Sequence, residues 1–85
     1  MKLQIRKSTL ETDLINGCKR QNAKAQQAVY DKYAPIMLGL CRRYIQEAQE
    51  AEDVMIKGFM KVFSKIDKYE GKGSFEGWMK RIIIN

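Results

Sequence analysis

From Ala25 to Tyr44, apolar side chains recur at steps of three and four residues: Ala25, Val29, Tyr33, Ile36, Met37, Leu40, Cys41 and Tyr44. That spacing lines one face of a 3.6-residue helix and does not match the two-residue alternation of a strand. The period returns in three other runs. They are Leu10, Leu14, Ile15, Cys18; then Ala51, Val54, Met55, Gly58, Phe59, Val62, Phe63, Ile66; and last Phe75, Trp78, Met79, Ile82, Ile83. One-sided helices gain their stability by burying the apolar face against a neighbour. The expected fold is therefore all-α, a compact bundle of about four helices.

Local chemistry marks the boundaries. Residues 1–9 read as a lead-in, and residues 10–85 as one helical domain. Ser8-Thr9-Leu10-Glu11 has the form of a capping box that would open a first helix running to about Arg20. Gln21-Asn22 breaks that helix, and Asn22 suits the N-cap of the second. Pro35 falls inside the second pattern, where it costs a helix about 3 kcal/mol; the apolar register survives across it, which favours a kink. Glu47, Glu50, Glu52 and Asp53 crowd the start of a third helix, where the macrodipole favours carboxylates and capping accounts for Glu50 and Glu52. That helix is expected to reach about Ile66. A loop from Asp67 to Gly73 follows, and Ser74 is the expected N-cap of a fourth helix. No cap follows Ile82-Ile83-Ile84, so the last helix is expected to be truncated and the chain to be a fragment.

An 85-residue chain builds one core. Sixteen Lys and Arg against ten Asp and Glu leave a net charge of +6, a balance that favours polyanions such as nucleic acid. The N-terminus lacks the apolar stretch of a signal peptide, and no apolar run is long enough to cross a bilayer. Cys18 and Cys41 are far apart and each sits in a periodic apolar run, so two reduced core thiols are expected in a cytoplasmic protein.

Catalysis is disfavoured. The chain has no histidine to serve as a base near neutral pH, and neither thiol has an evident activating partner. No metal site or cofactor is expected. Gly71-Lys72-Gly73-Ser74 lacks the full spacing of a phosphate-binding loop. A nucleic-acid surface fits better. Lys65, Lys68, Lys72, Lys80 and Arg81 flank Tyr69, Phe75 and Trp78 around a glycine-bearing loop, and Ser74 closes it. Cations track a phosphate backbone, and exposed aromatic faces stack unpaired bases. Phe75 and Trp78 equally fit an i, i+3 pair turned to the core. The stripe Lys57, Lys61, Lys65 is by default a solvated face. Lys72→Glu is expected to weaken binding to a single strand, and Lys19→Glu to matter little. Asp53 could offer a carboxylate to a partner's arginine.

These residues resemble region 2 of the extracytoplasmic-function sigma factors, the specificity subunits of bacterial RNA polymerase. The likeness runs from Leu14-Ile15-Asn16-Gly17-Cys18 through Val29-Tyr30-Asp31-Lys32-Tyr33 and Cys41-Arg42-Arg43-Tyr44. It is strongest in Ala51-Glu52-Asp53-Val54, Gly58-Phe59-Met60-Lys61-Val62-Phe63 and Gly73-Ser74-Phe75-Glu76-Gly77-Trp78. The resemblance implies a transcription-initiation domain that docks on the clamp helices of the polymerase β′ subunit through Glu52, Asp53, Ile56 and Lys57. It also implies recognition and melting of the −10 promoter element, with a flipped base held at the Lys68–Ser74 loop. Family members usually carry Gln-Glu where this chain has Ile56-Lys57, a change that removes attraction toward a basic partner and adds repulsion. The paired aromatic wedge of primary sigma factors is replaced by Met79 and Lys80, which accords with melting by base capture. The resemblance implies that the −35 element is read by a later domain, which this chain is expected to lack. The alternative is a helical protein-interaction module, for example one bound by an anti-sigma factor, with no direct DNA role.

Overall fold

Gln21 and Asn22 form the first corner, and the chain turns there by a Schellman motif. The Asn22 N–H donates to the Gly17 carbonyl at 2.9 Å and the Gln21 N–H to the Cys18 carbonyl at 2.9 Å, with Gln21 at φ 60. Asn22 Oδ1 then accepts the Ala25 N–H at 2.9 Å and opens the next helix. The structure is a computed structural model that describes the backbone of residues 2–85 and the side chains from Glu11 onward. Its helices are α1 (Lys2–Lys19), α2 (Ala23–Tyr44), α3 (Ala48–Ser64) and α4 (Phe75–Ile84), with a 3₁₀ turn at Ile66–Lys68. No strand occurs among the described residues, so the all-α expectation holds.

Three local expectations need correction. Helix α1 begins at Lys2, so Ser8 lies within it rather than capping it; Lys2 to Lys7 carries no Gly or Pro to stop a helix. The Ser8 side chain of the expected capping box lies outside the described residues. Glu47, not Glu50 or Glu52, caps α3: its carboxylate accepts the Glu50 N–H at 2.7 Å and the Gln49 N–H at 3.3 Å. Helix α3 stops at Ser64, and Ile66 to Lys68 tighten into the 3₁₀ turn instead of opening directly into loop. Helix α2 is one continuous helix through Pro35 rather than two abutting helices, as the unbroken apolar register implies. Pro35 and Asp31 are both exposed, so the carbonyl that loses its helical donor lies on the wetted side.

The core gathers one row from each helix. Cys18 of α1 meets Val29, Tyr33, Met37 and Cys41 of α2, Ala51, Met55, Phe59 and Val62 of α3, Ile66 of the turn, and Phe75, Met79 and Ile83 of α4. Tyr33 and Phe75 lock α2 to α4 edge to face at 5.9 Å, and Tyr30 does the same to Phe59 of α3 at 5.0 Å. Ile36 and Tyr44 keep the apolar register yet stay exposed, at 43% and 69%. The apolar stripe of α2 is wider than the surface its neighbours cover. Burial pushes both thiols up from their ordinary value of 9.0, which suits core groups and not nucleophiles.

Helices α3 and α4 approach closely at Gly58. A Cβ there would sit 2.6 Å from Ile83 Cγ1 and 3.0 Å from Ile83 Cα, a backbone atom that cannot swing aside. Gly58→Val should therefore cost about 1–3 kcal/mol by overpacking. Thermal denaturation followed by circular dichroism would show it, and an unchanged or raised midpoint would contradict the contact.

Candidate nucleic-acid interface

The segment between α3 and α4 is pinned at both ends and free between them. After the 3₁₀ turn the Tyr69 N–H returns to the Ile66 carbonyl at 3.1 Å. The Tyr69 hydroxyl donates to the Gly73 carbonyl at 2.9 Å, and Lys19 Nζ of α1 donates to the Tyr69 carbonyl at 2.8 Å. Ser74 Oγ accepts the Gly77 N–H at 3.1 Å and caps α4, as its sequence position implies. Glu70 to Gly73 bow outward between these anchors, all exposed. Gly71 and Gly73 take φ 79 and φ 75, which only glycine adopts without strain.

Two of the expected nucleic-acid residues belong instead to the core. Tyr69 is 6% exposed and Phe75 3%. Their rings pack on each other at 5.2 Å, and each also packs on Trp78. Neither presents a face to a base. Burying that much aromatic surface outweighs anything a base stacked on the outside would return. Trp78 is half-buried and keeps one margin at the surface.

That margin borders a pocket of about 220 Å³ lined by Lys72, Gly73, Ser74, Gly77, Trp78 and Arg81. A second pocket of about 220 Å³ lies alongside, lined by Lys61, Lys65, Arg81, Ile82 and Asn85. Arg81 is common to both. The lysine stripe of α3 thus joins the cations of α4 across a seam. Lys61 was missed as a site residue, because its four-residue spacing says only that it is exposed, not which helix it faces. Lys68 is exposed beside the turn. Lys72, 86% exposed, makes only a 3.5 Å contact to Glu70.

Lys80 is parted from the others. It pairs with Glu76 at 3.0 Å and borders a different pocket, of about 260 Å³, with Arg43 and with Pro35, Ile36, Gly39 and Leu40 of α2. Neighbouring residues on a helix point about 100° apart, so Lys80 and Arg81 serve opposite flanks of α4.

Helix α3 also carries the remaining expected residues. Glu52, Asp53, Ile56 and Lys57 are all exposed. Gln49 reaches Asp53 Oδ1 only at 3.4 Å, which leaves that carboxylate open to a partner. Ile56 stands on the rim of an apolar groove of about 430 Å³ between α2 and α3, together with Tyr30, Phe59, Met60 and Phe63. Met60 is 67% exposed. Glu52 does not line the groove but, four residues before Ile56, falls on the same flank of α3. Lys57 falls on the flank of Lys61 and Lys65, four and eight residues on. Met60, four residues after Ile56, is the second residue missed.

Among the described residues there is no group of three side chains that could hold a metal ion, and no helix is long and apolar enough to cross a membrane.

Residues 29–85 match the family model described as Sigma-70 region 2. The chain is 32% identical over 75 residues to the RNA polymerase sigma-H factor of Pseudomonas aeruginosa, an alignment covering 88% of this chain and 39% of that protein. It is 28% identical over 71 residues to the ECF RNA polymerase sigma factor SigW of Bacillus subtilis, covering 84% of this chain and 38% of that protein. The chain thus spans less than two fifths of the length of either relative. The matched span takes in most of α2 and all of α3 and α4, the helices that form the groove, the seam and the capped loop. By that match the chain belongs to the sigma-70 region 2 family.

Proposed function

We propose that this domain serves transcription initiation by holding RNA polymerase on one flank of α3 and promoter DNA on the other. The observation that carries the reading is the division of α3 itself. Ile56 and Met60 open toward an apolar groove with α2, whereas Lys61 and Lys65 converge with Arg81 of α4. The groove, with Glu52 and Asp53 near it, suits the clamp helices of the polymerase β′ subunit: apolar side chains fill it, and basic ones meet the carboxylates. The seam suits the phosphates of the −10 element. The pocket beside Trp78 takes one base turned out of the non-template strand, with Lys72 and Arg81 available to flanking phosphates.

The test is fluorescence polarisation of a labelled −10-type single strand against a salt series. Log affinity should fall with log salt at a slope near −0.7 per phosphate neutralised, and Lys72→Glu should weaken binding and flatten that slope. No binding at low salt would rule the DNA role out. The exposed Met60 and the groove also favour a second reading, a helix-docking module of the kind an anti-sigma factor would occupy. That reading gains if binding to a clamp-helix fragment survives Asp53→Ala while DNA binding stays unmeasurable.

A further inference from the structure

Lys19 reaches across fifty residues of sequence to the loop that borders the Trp78 pocket. It is the last residue of α1, half-buried, and its ammonium donates to the Tyr69 carbonyl at 2.8 Å. Tyr69 is thereby held by three means. Its carbonyl is held by Lys19, its hydroxyl by the Gly73 carbonyl, and its ring by Phe75 and Trp78. The four residues beyond it, Glu70 to Gly73, are exposed and include two glycines at positive φ. Apart from the Tyr69 hydroxyl, no side-chain hydrogen bond among the described residues ties these four to the helices. Among the described residues their only ion pair, Lys72 with Glu70, lies within the loop itself. A segment so free takes its shape from its anchors.

We propose that Lys19 is a positioning residue for the nucleotide pocket: it sets where Lys72 and Gly73 stand relative to Trp78 without touching the strand. The inference rests on the DNA role proposed above. It reverses the expectation that Lys19 is a neutral control, since the residue is neither on the seam nor among those lining the pocket beside Trp78.

Trp78 is the only tryptophan in the chain, and it supplies a readout that needs no DNA. Lys19→Met keeps the stem and removes the donor, whereas Lys19→Arg keeps a cationic donor. In Lys19→Met, acrylamide quenching of Trp78 should rise and its emission shift to the red, with Lys19→Arg close to the parent. Affinity for the single strand should fall about ten-fold, the scale of one charge-assisted hydrogen bond. The salt slope should not change, because the same phosphates stay neutralised, whereas Lys72→Met should flatten it by about 0.7. Unchanged quenching in Lys19→Met overturns the tether. A melting midpoint that drops in step with affinity, unrescued by Lys19→Arg, overturns positioning in favour of a merely structural role. A parent chain that fails to bind DNA at all overturns the nucleotide role, and it is told apart because the Trp78 response to Lys19→Met would persist.

Discussion

Phe75→Ala should bring the domain close to unfolding, at a cost of about 3–5 kcal/mol. Phe75 is the first residue of α4 and is 3% exposed. It touches Tyr33 of α2 at 5.9 Å, Tyr69 of the loop at 5.2 Å and Trp78 at 6.1 Å, so its ring is where three segments meet. Natural domains carry about 0.05–0.15 kcal/mol of stability per residue, so a chain of this length has little left after such a loss. Tyr69→Phe makes the contrast. It keeps the ring and removes only the hydrogen bond to Gly73, at about 0.5–1.5 kcal/mol. Chemical denaturation of the two variants beside the parent would decide the matter. If Phe75→Ala kept its midpoint and lost only DNA affinity, Phe75 would be a stacking platform after all and its place in the core would be wrong.

The same pair of rings shows where sequence reading reaches its limit. The i, i+3 step of Phe75 and Trp78 left a core-facing pair and a base-stacking pair both open, and burial decides it for Phe75; Ser74 announced the cap before it, and that local signal holds. Tyr69 carries no such signal. It sits between cations and a glycine loop, and its burial exists only because α4 folds back over it and Lys19 of α1 holds its carbonyl. Periodicity likewise named the outward positions of α3 without saying that Ile56 and Met60 face α2 while Lys61 and Lys65 face α4. Which neighbour covers which flank is a tertiary fact, and the division of labour on α3 lives there. Ile36 and Tyr44 make the converse point: a helical register predicts a face, but only a partner buries it.

Arg81→Glu and Lys80→Glu change net charge equally, yet their effects on single-strand binding should differ sharply. A diffuse positive field would treat them alike, since the two residues are neighbours on one helix and change the summed charge by the same amount. The built surface does not. Arg81 lines both pockets of the seam, one with Lys72 and Trp78 and the other with Lys61 and Lys65. A carboxylate there meets bound phosphate directly, and like-charge contact of that kind costs several kcal/mol. Taking about 2–3 kcal/mol, affinity should fall about 30- to 150-fold. The salt slope should flatten by about 0.7 for each phosphate no longer neutralised. Lys80 is already paired with Glu76 at 3.0 Å and faces Arg43 across the other flank of α4. Its reversal should cost affinity no more than about three-fold and leave the slope nearly as it was. It should cost the helix a few tenths of a kcal/mol, because two carboxylates would then stand four residues apart. Polarisation titrations of both variants at about 50 and 200 mM salt, with melting curves as a control on folding, would separate the two pictures. Equal losses would mean that the strand reads charge alone, and the pocket beside Trp78 would have no part in holding it.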